Sequence, residues 1–111
     1  MDKLQVRMNS HAMSLKEAFD KLGDTPEGVA KVLRDMGIKG VKGSCMSCPI
    51  AKYLVKCGFS EIYVGSPSFS IKGEHEGYSN DGHGTTEGEL PKAVAAFVYQ
   101  FDTALWPELR E

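Results

Sequence analysis

Residues 43–58, GSCMSCPIAKYLVKCG, hold every cysteine of the chain: Cys45, Cys48 and Cys57. A Cys-x-x-Cys pair running into a helix can serve three chemistries. It can be half of a zinc site, because structural zinc takes four ligands, commonly two such units or one with two histidines. The further ligands would have to be His75 and His83, with His11 in reserve, so the zinc set is Cys45, Cys48, His75 and His83. It can be a redox pair, because a thiol at a helix N-terminus meets unpaired N–H groups that favour the thiolate. It can carry a nucleophile, as in papain-like enzymes, where a cysteine at a helix start is followed in sequence by its histidine.

Each reading meets an obstacle. The two histidines stand in a glycine-rich stretch with no regular element between them, so their ordering would cost free energy. Thioredoxin-like pairs follow a core strand, whereas GIKGVKGS precedes Cys45. No orienting group for a catalytic histidine is visible. DGHGT, residues 81–85, imitates the histidine motif of subtilisin-like proteases, but the chain lacks their separate aspartate and serine motifs and is too short. The expectation is therefore no catalytic residue and no cofactor, with zinc as the alternative. Cys48 is expected to cap a helix, and Cys45 to fill a small space in the loop before it.

The elements that position these residues are legible from periodicity. Ser14 with Glu17 forms a capping box ahead of Leu15, Ala18, Phe19 and Leu22. Thr25-Pro26 opens a second helix through Val29, Val32, Leu33 and Met36, closed by Gly37. Cys48-Pro49 opens a third from about Pro49 to Cys57, with Cys57 on the buried face beside Leu54. EIYVG and SFSIK flank Gly65-Ser66-Pro67 and alternate with period two, the pattern of a hairpin. Residues 73–89 carry five glycines, no aliphatic residue and one aromatic, and read as a long mobile loop. Leu90, Val94, Phe97, Val98, Phe101 and Leu105 form the stripe of a long last helix, which Pro107 ends. The fold class is α+β: about four helices around the C-terminal one, an antiparallel hairpin, and room for a third short strand near residues 86–89. One domain, 1–111, is expected, with 1–13 flexible.

The net charge of −2 conceals a polarity. Lys31, Arg34, Lys39, Lys42, Lys52 and Lys56 face one anion, Asp35, in the middle of the chain. Eight anions face Lys92 and Arg110 after residue 72. A basic middle can meet nucleic acid or an acidic protein; alternatively, the acidic tail lies against it and the field cancels. Three helices and a hairpin also resemble a winged-helix domain. The connection from Gly37 to Ser47 is too long for a helix-turn-helix, however, and the third helix offers only Lys52 and Lys56 to bases. No apolar run reaches the roughly 20 residues that span a bilayer. MDKLQVRMNSHAM has no secretory h-region, so a cytoplasmic protein is expected, with reduced thiols.

GIKGVKGSCMSCPIAKYL and LPKAVAAFVYQFD together resemble small uncharacterised proteins of actinobacteria and their phages. These share a Cys-Pro-Ile/Leu-Ala-x-Tyr-Leu box, here Cys48 to Leu54, and a C-terminal helix, here Leu90 to Leu109. The likeness covers residues 26–109. It implies a bacterial or phage accessory protein and no particular activity. The leading functional expectation is a non-enzymatic interaction or regulatory protein that binds another protein through the six basic residues or the glycine-rich stretch. Nucleic-acid binding and a zinc or thiol-redox module are the alternatives.

Overall fold

The computed structural model describes residues 14–75, 77–80 and 82–111. The flexible start expected for 1–13, and His11 as a spare ligand, lie outside the described residues. Among the described residues four α-helices, α1 (Leu15–Asp20), α2 (Pro26–Asp35), α3 (Pro49–Lys56) and α4 (Lys92–Asp102), accompany four strands. The strands are β1 (Tyr63–Val64), β2 (Ser68–Lys72), β3 (Ser79–Asn80) and β4 (Thr85–Glu89), all antiparallel in the order β1-β2-β4-β3. The class is α+β, with four strands rather than two or three.

The helix starts follow from their caps. Ser14 Oγ accepts from Glu17 N–H at 3.0 Å, and Thr25 Oγ1 from Gly28 N–H at 3.0 Å. Each satisfies a donor that the first turn leaves unpaired. At the far end of α2, Gly37 takes φ 71°, and Ile38 N–H turns back to Leu33 O at 3.0 Å. Ile38 is thereby buried against the helix it closes.

One face of the sheet and one stripe of each helix share the core. Phe19 of α1 meets Phe69 of β2 edge-to-face at 5.3 Å. Tyr53 of α3 donates to the Ala18 carbonyl at 2.6 Å, tying α3 to α1. α2 packs on α4, whose Val94, Phe97 and Phe101 are fully buried. α4 is the longest helix of the described residues but ends earlier than the apolar stripe predicts. Ala104 turns the chain with φ 79°, so Leu105 leaves the stripe and stands half exposed.

Residues 73–89, expected as a mobile loop with room for a short strand near 86–89, hold that strand as β4 and are tied to the fold in two ways. First, β4 pairs with β2 over five residues, from Ser68↔Glu89 to Lys72↔Thr85. Second, Tyr78 packs its ring against Phe69 at 5.5 Å and Phe19 at 6.5 Å. Thr86 is the buried polar residue of this layer: Oγ1 donates to Gly73 O at 2.7 Å and accepts from His75 N–H at 3.0 Å. Thr86→Val keeps the shape and strands both backbone groups. It should cost about 2 kcal/mol in a urea titration and speed exchange of the His75 amide, because unpaired buried groups bear their full desolvation penalty. A variant as stable as the parent would remove Thr86 as the pin of this segment.

Candidate functional site

α3 and the chain before it place the cysteines. Pro49 fits the first helical position, so Cys48 becomes the N-cap, with Ala51 N–H donating to its Sγ at 3.5 Å. Gly40 runs beneath this start with no room for a side chain. The intervening turn is held by Val41 N–H to Ser47 O (2.8 Å), Ser47 N–H to Ser44 Oγ (3.1 Å) and Gly43 N–H to Asp102 Oδ1 (3.0 Å). The Cys45 carbonyl accepts from Val64 N–H of β1 at 2.7 Å.

The pair is thereby split. Cys48 is buried and Cys45 is exposed, not the filler of a small space. Cys45 belongs to the turn, and its carbonyl, not its thiol, is what the fold uses. Cys57 is only partly buried, against the expectation of full burial beside Leu54. It is the C-cap of α3, where the chain leaves the helix at Gly58 (φ 105°).

Burial pushes the Cys48 thiol up, and it outweighs the opposite pull of the Ala51 and Ile50 N–H groups. The helix start that would favour a thiolate is therefore overruled by desolvation. His75 is committed elsewhere. Its Nε2 lies 3.0 Å from Lys72 O, which can only accept, and its ring meets Phe59 edge-on at 5.3 Å. His83 is exposed. Among the described residues no group of three or more His, Cys, Asp or Glu is placed to hold a metal, so Cys45, Cys48, His75 and His83 do not converge.

Burial also raises Cys57, Tyr53 and Tyr78. With Cys48, these groups hold their protons more tightly folded than unfolded. Their contribution is complete below the unfolded values and is lost as pH rises through the folded ones. The melting temperature should therefore hold near neutrality and fall once pH passes about 9, the ordinary thiol value. Stability that holds or rises through about 10, the ordinary tyrosine value, would contradict this.

The six basic residues do not form one field. Lys31 pairs with Asp35 on the same helix at 2.8 Å. Arg34 pairs with Glu108 at 2.8 Å, and Lys52 with Glu111. The acidic tail thus lies on the basic middle. Lys39, Lys42 and Lys56 are exposed, and no carboxylate of the described residues forms an ion pair with them.

The outer face of the sheet is a surface that sequence reasoning missed. Tyr63, Ser70, Glu87 and Ser79 stand in one cross-strand row, with Ser68 and Glu89 in another. With Cys45 at its margin, this face forms a shallow depression of ≈ 530 Å³. Among the described residues its lining holds carboxylates and hydroxyls but no cation and no imidazole. The signal was present in Thr85–Glu89: β-branched threonines, with Thr86 and Gly88 turned inward and the glutamates outward. No helix of the described residues is long and apolar enough to cross a membrane.

No family model matches the chain, and neither the curated proteins nor the solved structures contain a match. Its functional reading rests on its own residues.

Proposed function

We propose that this chain is a small, non-enzymatic interaction protein of the cytoplasm that binds a protein partner. Its box at Cys48–Leu54 and its C-terminal helix support placing it among bacterial or phage accessory proteins. One observation carries the reading. Val41 (42% exposed), Met46 (56%) and Tyr63 (48%) stand out of the core on a turn and a strand joined by the Val64 to Cys45 hydrogen bond. Methionine and tyrosine are enriched at protein interfaces, and a turn already fixed by five hydrogen bonds loses little freedom on docking. Lys39 and Lys42, exposed on either side of Val41 along the chain, favour carboxylates on the partner.

The test compares wild-type bait with Met46→Asp/Tyr63→Asp in host lysate. Both side chains are exposed, so the double variant should melt close to wild type. It should lose the captured protein about tenfold or more, as removal of interface anchors does. Undiminished capture overturns the assignment. Capture of nucleic acid with a steep salt dependence would instead support the nucleic-acid alternative through Lys39, Lys42 and Lys56.

A further inference from the structure

Residues 107–111 lie in a cleft of the fold as a docked ligand would. Leu109 is enclosed at 1% exposure. Its carbonyl accepts from Gly40 N–H at 2.8 Å, and the Gly40 carbonyl accepts from Glu111 N–H at 3.0 Å, a single parallel bridge. Glu108 reaches Arg34 of α2, and Glu111 reaches Lys52 of α3. The cleft between α2, α3 and residues 38–41 therefore offers backbone pairing, an apolar slot and a cation on each flank. Those are the parts of a peptide-recognition groove: main-chain bonds for affinity, a pocket and charges for specificity.

The attachment of this segment favours its release. Ala104 and Trp106 hold φ 79° and 60°, left-handed conformations that side chains bear at a cost. That turn is closed by Leu105 N–H to Gln100 O at 2.9 Å. Trp106 is held by its indole N–H to Gln100 Oε1 at 3.0 Å and by stacking on Phe97 at 6.2 Å, so it stays on α4 while the residues after it are bound more loosely. Both ion pairs are exposed and so are weakened by salt. A segment of the same chemistry from another protein would refill the leucine slot and remake both ion pairs. Resting on the interaction-protein reading but on a different surface, we infer that this groove binds an acidic-leucine-x-acidic segment of a partner protein. The chain's own residues 107–111 occupy it in cis and set the threshold for binding.

Trp106 is the only tryptophan of the chain and sits at the hinge, so its emission reports the tail. The experiment titrates the synthetic peptide Pro-Glu-Leu-Arg-Glu into full-length protein, reading Trp106 fluorescence and the Gly40 amide by NMR. A tethered tail competes at an effective concentration on the order of millimolar, so wild type should bind weakly but saturably. Glu108→Gln/Glu111→Gln loosens the tail at exposed positions without touching the core. The folded variant should bind the peptide about tenfold more tightly, because the open groove is more populated. Arg34→Glu in that background, or serine for leucine in the peptide, should abolish binding. If millimolar peptide moves neither probe in the folded variant, the groove is not a peptide site, whatever Met46→Asp/Tyr63→Asp shows. Exchange of tails between two copies would appear as a concentration-dependent dimer in sedimentation and would also overturn the assignment to a partner's segment.

Discussion

Gly40→Ala should lower stability by about 3 kcal/mol or more and leave much of the protein unfolded at physiological temperature. The cause is space, not backbone conformation. A Cβ on Gly40 would lie 2.6 Å from the Cys48 carbonyl carbon and from Pro49 Cδ, and closer still to Pro49 N. Those atoms are the start of α3 and cannot rotate aside as the tip of a side chain can. A retreat of Gly40 would break the hydrogen bonds of its own N–H and C=O to Leu109 and Glu111. Gly43→Ala is the control. It too replaces a glycine, at φ 77°, but meets nothing within 4 Å, and should cost about 1 kcal/mol from conformation alone. Urea midpoints measure both. Equal losses would mean that the approach of residue 40 to α3 is looser than described.

Phe97→Ala should cost about 3–5 kcal/mol, the range for deleting a buried aromatic ring whose site cannot fully collapse. Phe97 has no exposed surface and stacks on Phe101 at 6.0 Å and Trp106 at 6.2 Å. Its loss opens a cavity in α4 and strips Trp106 of its stacking partner, so the emission of Trp106 should shift even where the fold survives. Tyr99→Ala, two residues on and 64% exposed, should stay within about 0.5 kcal/mol. A small loss at Phe97, with Trp106 emission unmoved, would show that α4 does not anchor this end of the core.

What could be read in advance was what local chemistry decides. Ser14, Thr25 and Cys48 cap helices because the cap bond spans three residues, well inside any reading window. Gly37 and Gly58 close them for a similarly local reason. β4 was legible only as room for a short strand near residues 86–89, because Thr-Thr-Glu-Gly-Glu carries no apolar alternation. Its inward residue is a threonine satisfied by Gly73 and His75, and Tyr78 finds Phe19 only once the chain has folded. The early end of α4 escaped because Leu105 continues the stripe, while the left-handed turn at Ala104, closed by Leu105 N–H to Gln100 O, carries no glycine to announce it. For the candidate site, the charge polarity of the chain offered the meeting of tail and middle as one of two readings. Which carboxylate met which cation is a long-range fact. The division of Cys45 from Cys48 lies one residue beyond the helix and outside any periodicity.

The bond from Val64 N–H to the Cys45 carbonyl has a consequence for the behaviour of the protein in concentrated solution. Sheets recruit further chains through unpaired backbone groups on their outermost strands, the route to aggregation and filaments. On the β1 side that donor is already taken by the turn. On the opposite side the outermost strand is only Ser79–Asn80, and the Asn80 side chain accepts from Gly82 N–H at 2.6 Å, folding the chain back on itself. Neither border offers a run long enough to template a neighbour, so the exposed Met46 and Tyr63 can be displayed without the sheet beside them becoming a seed.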